Sequence, residues 1–328
     1  MKITKMILIC VLILLLVPIA LFAGGEKPAK KEVVHVGLSM PFINAPYFKV
    51  WIETFKTTCE DRGVEFTMTD AGADLTTQIS QIEDLISKGV GGLVVVPLDA
   101  KGIVPSIKSA SKSDIPIITS NVMTDPPELT ELVCFTGPDS YLEGLIAGEE
   151  TVKLFEKMGK SVVNAVEITG VPGYSAAIDR ANGWRDKIIE LKGEGFINVL
   201  DSQPGNWQKA DAQTAMENMI TTWGDKIDLV YAHDDTMAVG AWNALKAVGY
   251  KKGSPIIFGI GGSREGLAAI KNGEMKLTVL QSPSIDGRLS ANTIVDIVGG
   301  WEPDEFFIFQ ELPVVTVDNV DKYLPGEW

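Results

Sequence analysis

Short apolar runs alternate with longer segments of helical periodicity along almost the whole chain. Runs of β-branched and other apolar residues predict ten strands, at 33–39, 64–69, 92–97, 115–120, 132–137, 161–168, 196–201, 226–232, 254–260 and 275–280. Between and after them, apolar residues at helical spacing predict nine helices, at 46–62, 75–88, 101–112, 139–158, 175–192, 207–223, 235–248, 264–272 and 284–299. This alternation is typical of βαβ units and of parallel sheets covered by helices on both faces.

The number of strands indicates two sheets. Ten strands exceed what one compact sheet of this kind usually holds, so the sequence predicts an α/β fold of two doubly wound, Rossmann-like parallel-sheet lobes. Ligands of open parallel sheets bind beyond the carboxyl ends of the strands. Polar and aromatic residues follow several predicted strands directly, which makes them candidate ligand-binding residues: Asn44, Tyr47, Phe48, Asn121, Tyr174, Trp207, Asp234 and Gln281.

Composition and charge narrow the range of partners. The 328 residues include 45% hydrophobic side chains, enough for a large core, and carry a net charge of −14 from 29 basic and 43 acidic residues. A surface of that sign repels phosphate backbones, so we expect no nucleic-acid partner. No glycine-rich phosphate-binding fingerprint follows the first strand, and GIGGS at 259–263 is only a weak match to such a turn.

The N-terminal region predicts export. Lys2 and Lys5 precede an apolar run that ends in small residues at positions 23–25. This pattern predicts a signal peptide at 1–23, a flexible linker at 24–33 and a periplasmic or extracytoplasmic protein. An uncleaved membrane anchor is the alternative, because the run is long enough to span a bilayer. A proline near its end and the small residues after it favour cleavage.

Two cysteines remain beyond the predicted signal peptide. Cys59 falls on a predicted helix and Cys134 in a predicted strand. Two cysteines do not make a disulfide framework, and a chain of this length does not need one. We therefore expect two buried free thiols, with a single disulfide as the alternative.

Catalytic groups are scarce, although His233, Asp234 and Asp235 form one suggestive cluster. The only other histidine is His35, and the chain has no H-x-x-x-H, C-x-x-C or G-x-S-x-G motif. Two adjacent aspartates are not the facing pair that glycoside hydrolysis requires. We therefore predict no enzyme, metal site or cofactor, with a secreted glycosidase as the alternative. Within the cluster, Asp235 is expected to cap the helix at 235–248 and Asp234 to face the ligand, while His233 takes no part in binding.

Several motifs in a fixed order carry a family resemblance. They are NAPYF (44–48), QISQIEDLISKGVGGLVVVPLDA (78–100), IPIITSN (115–121), TGPDSYLEG (136–144), AAIDRANGW (176–184), SQPGNWQKA (202–210), AHDDTMAVGA (232–241) and TVLQSP (278–283). In these motifs the chain resembles the periplasmic sugar-binding proteins of the ribose/galactose type, which feed ABC importers and share the type I periplasmic binding protein fold. The resemblance extends from residue 33 nearly to the last residue.

The resemblance implies two lobes joined by three crossovers, with a sugar bound in the cleft between them. The lobes would comprise 34–136 with 282–311, and 137–281 with 312–328, and the chain would cross near Gly137, Gln281 and Glu311. It also implies a monomer whose macromolecular partner is the membrane permease of an ABC importer. A sugar-responsive repressor of related fold would need a helix-turn-helix segment where this chain has its apolar N-terminal run.

The resemblance further implies roles for aromatic and charged residues. Tyr47 and Phe48 match the aromatic pair of the first lobe, and Trp207 matches the stacking position of the second, with core packing as the alternative for each. Arg180 matches an arginine that can donate to two ligand oxygens at once. The alternative for Arg180 is a surface ion pair with Asp179 or Asp186.

The remaining matches and departures bear on the ligand. Asn121 and Gln281 match polar ligand-binding positions of the family. Asp234 stands where Asn is usual, Gly261 replaces a common aspartate, and Ala176 replaces an acidic residue of galactose receptors. Neither ribose nor galactose matches this pattern in full, so we expect a related pentose, hexose, polyol or deoxy-sugar. A receptor for a furanosyl signalling molecule or a nucleoside is the alternative.

Overall fold

The computed structural model describes residues 34–126 and 129–328, and the predicted signal peptide and linker lie outside these ranges. The strands of the described residues are β1 (His35–Met40), β2 (Glu65–Asp70), β3 (Gly92–Val95), β4 (Ile117–Ser120), β5 (Cys134–Gly137), β6 (Val163–Thr169), β7 (Ile197–Pro204), β8 (Leu229–Ala232), β9 (Ile256–Gly261), β10 (Leu277–Leu280), β11 (Phe307–Phe309) and β12 (Val314–Thr316). The α-helices of these residues are α1 (Pro46–Asp61), α2 (Leu75–Ser87), α3 (Val104–Ser111), α4 (Ser140–Lys157), α5 (Ser175–Lys192), α6 (Lys209–Trp223), α7 (Asp235–Ala247), α8 (Arg264–Lys271) and α9 (Pro283–Val298).

The strands form two six-stranded sheets, each with helices packed on it. The first has the order β11-β5-β4-β3-β1-β2 and the second the order β12-β10-β9-β8-β6-β7. Strand pairing in the two sheets is parallel except between β10 and β12. The predicted α/β fold of two doubly wound lobes is thereby confirmed. The short strands β11 and β12 were not among the ten predicted, because three residues carry too little periodicity to reveal a strand.

Hydrophobic spacing accounts for the helices, as α1 illustrates. The helix begins at Pro46, whose fixed φ and missing N–H suit a first turn. Its buried side chains include Phe48, Trp51, Phe55 and Cys59, which recur at helical spacing along one face. The rings of Trp51 and Phe55 stack with centroids 5.2 Å apart. This face packs against α9 and the first sheet.

The chain passes between the two sheets three times. It leaves β5 of the first sheet for α4, which packs on α5 beside the second sheet. It returns from β10 through α9, which packs on α1, and passes again from β11 to β12. The carboxyl ends of β1, β4, β6, β7, β8 and β10 thus lead into neighbouring loops around one cleft.

Two helices start later than their sequence pattern predicts. α3 begins at Val104 because the Asp99 carboxylate first accepts from the backbone N–H of Lys101 at 2.9 Å and holds a turn. α6 begins at Lys209 because Trp207 has φ 59°, outside the right-handed helical region. Both predicted free cysteines are confirmed as buried thiols. Across the described residues, every helix is too short or too polar to traverse a bilayer.

Candidate functional site

A cavity opens between the two sheets, beyond the carboxyl ends of their strands. The space between its walls measures about 470 Å³, which includes the open mouth of the cavity. We call it the cleft cavity, and its lining residues are Phe42, Ala45, Pro46, Tyr47, Phe48, Asn121, Ala176, Arg180, Trp207, Asp234, Gln281 and Trp328. Seven of the nine predicted site residues are in this lining, and six of these seven were predicted because they follow strands directly.

Asn44 and Tyr174 are the two predicted site residues outside that lining. Asn44 is exposed and lies in an adjoining groove, because the turn before α1 directs Ala45 toward the cavity instead. Tyr174 is buried behind the aromatic lining, with its ring centroid 5.6 Å from Phe42 and 6.0 Å from Trp207. The structure therefore places neither side chain in the cavity lining.

The first-sheet wall consists of Phe42, Tyr47, Phe48 and Asn121, and Asp286 organises its polar groups. Asp286 Oδ2 accepts from the Tyr47 hydroxyl at 3.0 Å and from Asn121 Nδ2 at 3.0 Å. Burial raises the pKa of Asp286 to about 6, while the hydrogen bonds from Asn121 and Tyr47 act in the opposite direction. The wall thus offers a neutral amide and aromatic rings, held from behind by a buried acid.

The rings of the first-sheet wall brace one another. Phe42 and Phe48 meet edge to face with centroids 5.4 Å apart, and Tyr47 and Phe48 do so at 5.9 Å. Edge-to-face contacts of this kind contribute roughly 0.5–1.5 kcal/mol beyond the area they bury. The sequence had identified Tyr47 and Phe48, whereas Phe42 was missed although it follows β1 just as directly.

The second-sheet wall consists of Arg180, Trp207 and Asp234. The Trp207 ring lies so close to Gly170 that any Cβ at residue 170 would overlap it. Its indole Nε1 is buried without a protein partner among the described residues, and Arg180 Cζ lies 5.6 Å from the ring centroid. A flat apolar face beside a guanidinium suits a ligand with both C–H surfaces and hydroxyl groups.

Arg180 is buried in an ion pair that the sequence did not indicate. Its Nε donates to Glu143 Oε2 at 2.7 Å and its Nη1 donates to the carbonyl of His233 at 2.8 Å. The expected alternative partners, Asp179 and Asp186, were wrong because the guanidinium points into the lobe and not to its surface. Burial raises the pKa of Glu143, while the neighbouring Arg180 opposes that shift. Glu143 therefore fixes the guanidinium and leaves Nη2 as the nitrogen that these contacts do not use.

Asp234, and not Asp235, caps α7. Asp234 has extended backbone, with φ −147° and ψ 166°, and its Oδ1 accepts from Met237 N at 2.7 Å. Burial raises its pKa to about 6. Asp235 begins the helix, and its Oδ2 accepts from Ser263 N at 2.8 Å. The predicted cap was wrong by one residue, an error typical of helix boundaries.

His233 faces away from the cleft cavity. It is fully buried, and its Nε2 lies 3.0 Å from Glu167 Oε1. Burial lowers its pKa, and Glu167 opposes that shift. The imidazole therefore belongs to the interior of the second lobe, while its backbone carbonyl helps hold Arg180. Among the residues that the structure describes, no group of three or more His, Cys, Asp or Glu side chains is arranged to hold a metal ion.

Gln281 and Trp328 complete the cavity where the chain crosses between the sheets. Gln281 Oε1 is buried without a protein partner among the described residues. The Trp328 ring meets Tyr47 edge to face, with centroids 5.8 Å apart. Trp328 was missed because it lies far in sequence from every other lining residue and no strand precedes it closely.

Known proteins give an independent comparison. The family model of the periplasmic binding protein domain matches residues 36–302 of this chain. The ribose import binding protein of Bacillus subtilis is 29% identical to this chain, over 85% of this chain and 86% of the relative. The xylitol-binding protein of Mycolicibacterium smegmatis is 30% identical, over 91% of this chain and 81% of the relative. A solute-binding protein of an ABC transporter from Bacillus halodurans, solved with bound myo-inositol, is 29% identical, with a TM-score of 0.78 over 89% of this chain and 96% of its own.

These similarities extend over both lobes and not over a single motif. They agree with the order of elements, the two sheets and the position of the cleft cavity at their strand ends. The resemblance to sugar-binding receptors of ABC importers is thereby confirmed, and the chain belongs to the periplasmic binding protein family.

Proposed function

We propose that this protein is an extracytoplasmic receptor that binds a monosaccharide or polyol in the cleft cavity and presents it to the permease of an ABC importer. The observation that carries the proposal is the pairing of Arg180 and Asp234 with the flat face of Trp207 on one wall of a buried cavity. Relatives named for ribose and xylitol, and a structural neighbour with bound myo-inositol, support the same class of ligand.

The cavity chemistry fits a polyhydroxylated ring or chain. Each buried ligand hydroxyl needs a donor or acceptor, since an unpaired polar group costs about 1–3 kcal/mol. Arg180 supplies donors, Asp234 supplies an acceptor, and Asn121 and Gln281 offer amides that can do either. The aromatic residues cover the C–H surfaces. We propose that Tyr47 and Phe48 approach the ligand from one side and Trp207 from the other.

Binding and closure would be coupled. The ligand contacts residues of both lobes only when the lobes are together, so its differential affinity shifts the population toward the closed form. Moving the population from mostly open to mostly closed takes about 5.5 kcal/mol. We propose the lobes as 34–136 with 282–311, and 137–281 with 312–328, hinged at the three crossovers. The permease would recognise the closed monomer.

Binding without turnover is part of the proposal. Asp234 caps α7 through Oδ1, and Asp286 is engaged behind the first-sheet wall by Tyr47 and Asn121. Asp286 is thus engaged behind the wall, and Asp234 faces no second carboxyl group among the described lining residues, as a glycosidase would require. We further propose that residues 1–23 are a signal peptide removed on export, in keeping with the periplasmic location of the family.

A thermal-shift panel tests the function. Purified protein is heated with D-ribose, L-arabinose, D-galactose, xylitol, myo-inositol and adenosine, each at millimolar concentration. We expect at least one sugar or polyol to raise the Tm by several degrees, because a ligand present at about 100 times its Kd stabilises the folded state by about 2.7 kcal/mol.

Two variants make the panel specific to the cleft cavity. Trp207→Ala should abolish the ligand-induced shift, whereas the matched control Trp223→Ala, at the far end of α6, should retain it. A response to adenosine alone would replace the sugar assignment by a nucleoside receptor. Absence of any shift in wild type, or an undiminished shift in Trp207→Ala, would contradict the proposal.

A further inference from the structure

Trp328 occupies space that a side chain at residue 261 would otherwise take. Gly261 ends β9 with φ 129°, and a Cβ there would lie 2.7 Å from Trp328 Cζ2. Such a contact is closer than side chains tolerate, so the indole and a side chain at residue 261 exclude each other. Glycine at this strand end therefore lets a residue from a distant part of the sequence form part of the cleft cavity.

Anchors to helices of both lobes hold the indole in place. The main-chain oxygen of Trp328 accepts from Arg264 N at 2.6 Å, at the start of α8 beside the second sheet. The preceding Glu327 reaches the start of α9, where its carboxylate accepts from Ser282 Oγ at 2.7 Å and from Ser284 N at 3.0 Å. Since α9 packs on α1 of the first lobe, residues 327–328 connect the starts of two helices that belong to different lobes.

The indole itself contacts the first-sheet wall and has one unused donor. Its ring meets Tyr47 at an interplanar angle of 82°, and Tyr47 is held in turn by Asp286. Trp328 Nε1 is buried without a protein hydrogen-bond partner among the described residues. A rigid aromatic surface with a free N–H, set against a braced neighbour, is able to shape whatever occupies the cavity.

We propose that Trp328 is a specificity-determining residue, whose indole forms the crossover-side wall of the cleft cavity and limits the size and shape of the ligand it accepts. The inference rests on the proposed function, because it concerns the same cavity. It assigns the ligand at this end a C–H surface or a hydrogen-bond acceptor, since the indole offers an apolar face and a donor but no acceptor. Glu327 is a positioning residue that acts through Trp328.

Isothermal titration calorimetry on full-length mature protein tests the role of Trp328. The probe is the compound of the thermal-shift panel that gives the largest Tm increase. Trp328→Ala should weaken its binding about tenfold or more, as expected for loss of about 1.4 kcal/mol of contact. Trp328→Phe, which keeps an aromatic wall, should stay within about threefold of wild type. The matched control Trp301→Ala removes an exposed tryptophan outside the cavity lining and should leave Kd unchanged.

A second readout separates specificity from general weakening. Kd is measured for the two panel compounds that wild type binds best, and Trp328→Ala should shift their ratio about fivefold toward the bulkier one, because the cavity is enlarged at one end. Glu327→Gln should shift the ratio in the same direction by a smaller factor. If Trp328→Ala does not fold, Trp328→Leu replaces it, keeping apolar volume without the flat ring.

The outcomes distinguish this inference from the proposed function. If wild type binds a panel compound and Trp207→Ala abolishes binding, the function stands. An unchanged Kd and an unchanged ratio in Trp328→Ala, or in Trp328→Leu where Ala does not fold, would then overturn the role of Trp328 alone. If wild type binds no panel compound, the proposed function fails first.

Discussion

The first-sheet wall and the second-sheet wall line the same cavity with different chemistry. The first presents three aromatic rings and the neutral Asn121 amide, with the Asp286 carboxyl group behind the surface. The second presents Arg180 and Asp234 directly, with the Trp207 ring beside Arg180 and a buried carboxylate, Glu143, behind the arginine. Both walls place a buried acid where it orients a group that lines the cavity.

The difference indicates a division of labour between the lobes. Charge-assisted hydrogen bonds are roughly twice as strong as neutral ones, so the second-sheet wall is expected to supply most of the affinity. The first-sheet wall is expected to supply apolar cover and to exclude water once the lobes meet. The ligand would then bind first to the second lobe, and the first lobe would close over it.

Arg180→Ala should have the largest effect. It removes the proposed ligand donor and leaves Glu143 buried without its partner, which should lower the free energy of unfolding by about 3–5 kcal/mol. Ligand-induced stabilisation should disappear. Urea unfolding and thermal shift measure the two effects. In the double variant Arg180→Ala/Glu143→Gln stability should recover in part while binding does not, and retained binding in either variant would contradict the division of labour.

Asp286→Asn should have the next largest effect, on the first-sheet wall. The buried carboxylate accepts from Tyr47 and Asn121 at Oδ2 and from Ser120 Oγ at Oδ1, and the NH2 group of an amide cannot accept the bond at the second position. We expect a loss of about 1–3 kcal/mol in unfolding free energy and about tenfold in affinity. Calorimetry and urea unfolding test this. An affinity loss as large as that of Arg180→Ala would show that the two walls contribute equally.

The pH dependence of binding should isolate Asp234. Its pKa of about 6 lies above its ordinary value of 3.8. Affinity that depends on the ionised carboxylate should therefore be present at pH 7 and fall about tenfold by pH 5, as the group takes up a proton. Asp234→Asn keeps the cap on α7 and every other titrating group, so its affinity should vary much less over this range. Parallel pH profiles for the two proteins would refute the role of Asp234 as an ionised acceptor.

The raised pKa of Asp234 has the opposite effect on folding stability: it favours the folded protein at low pH. Because the folded-state pKa is raised, the folded protein binds more protons than the unfolded chain between about pH 4 and pH 6. The stability contribution of Asp234 is thus greatest at low pH and is lost as the pH rises through about 6. Unfolding of ligand-free protein at pH 5 and pH 7 should show a smaller difference for Asp234→Asn than for wild type.

Tyr47→Phe should have the smallest effect. It removes the hydroxyl that donates to Asp286 but keeps the ring against Phe48 and Trp328. We expect a stability loss of about 1 kcal/mol and an affinity change below about threefold. Chemical unfolding and calorimetry provide the values. A tenfold loss of affinity would mean that the hydroxyl, and not the ring, contacts the ligand.

The sequence revealed those features that depend on local pattern. Alternating strands and helices predicted the two-sheet fold. The expectation that ligands bind beyond the carboxyl ends of parallel strands predicted Tyr47, Asn121 and Asp234. It did not reveal Asp286 or Glu143. Each lies on a helix whose sequence pattern gives no sign of a special role. The partner of Asp286, Asn121, is 165 residues away, and the partner of Glu143, Arg180, is 37 residues away. Their roles depend on tertiary contacts that no periodicity encodes.

Trp328 and the cap on α7 illustrate two further limits. The position of the indole depends on Gly261 and on the starts of α8 and α9, which only the folded chain brings together. Asp234 and Asp235 are both good capping residues, so composition could not decide which one precedes the first helical turn. The backbone conformation of Asp234 decides it.

A crystal structure of the protein grown with the most stabilising panel compound tests the central claim most directly. We expect density for one sugar or polyol molecule in the cleft cavity, against the Trp207 ring and within hydrogen-bond distance of both Arg180 and Asp234. The first-sheet wall should cover its opposite side. Density at another site, or a ligand in the cavity that contacts neither Arg180 nor Asp234, would contradict the proposed binding mode.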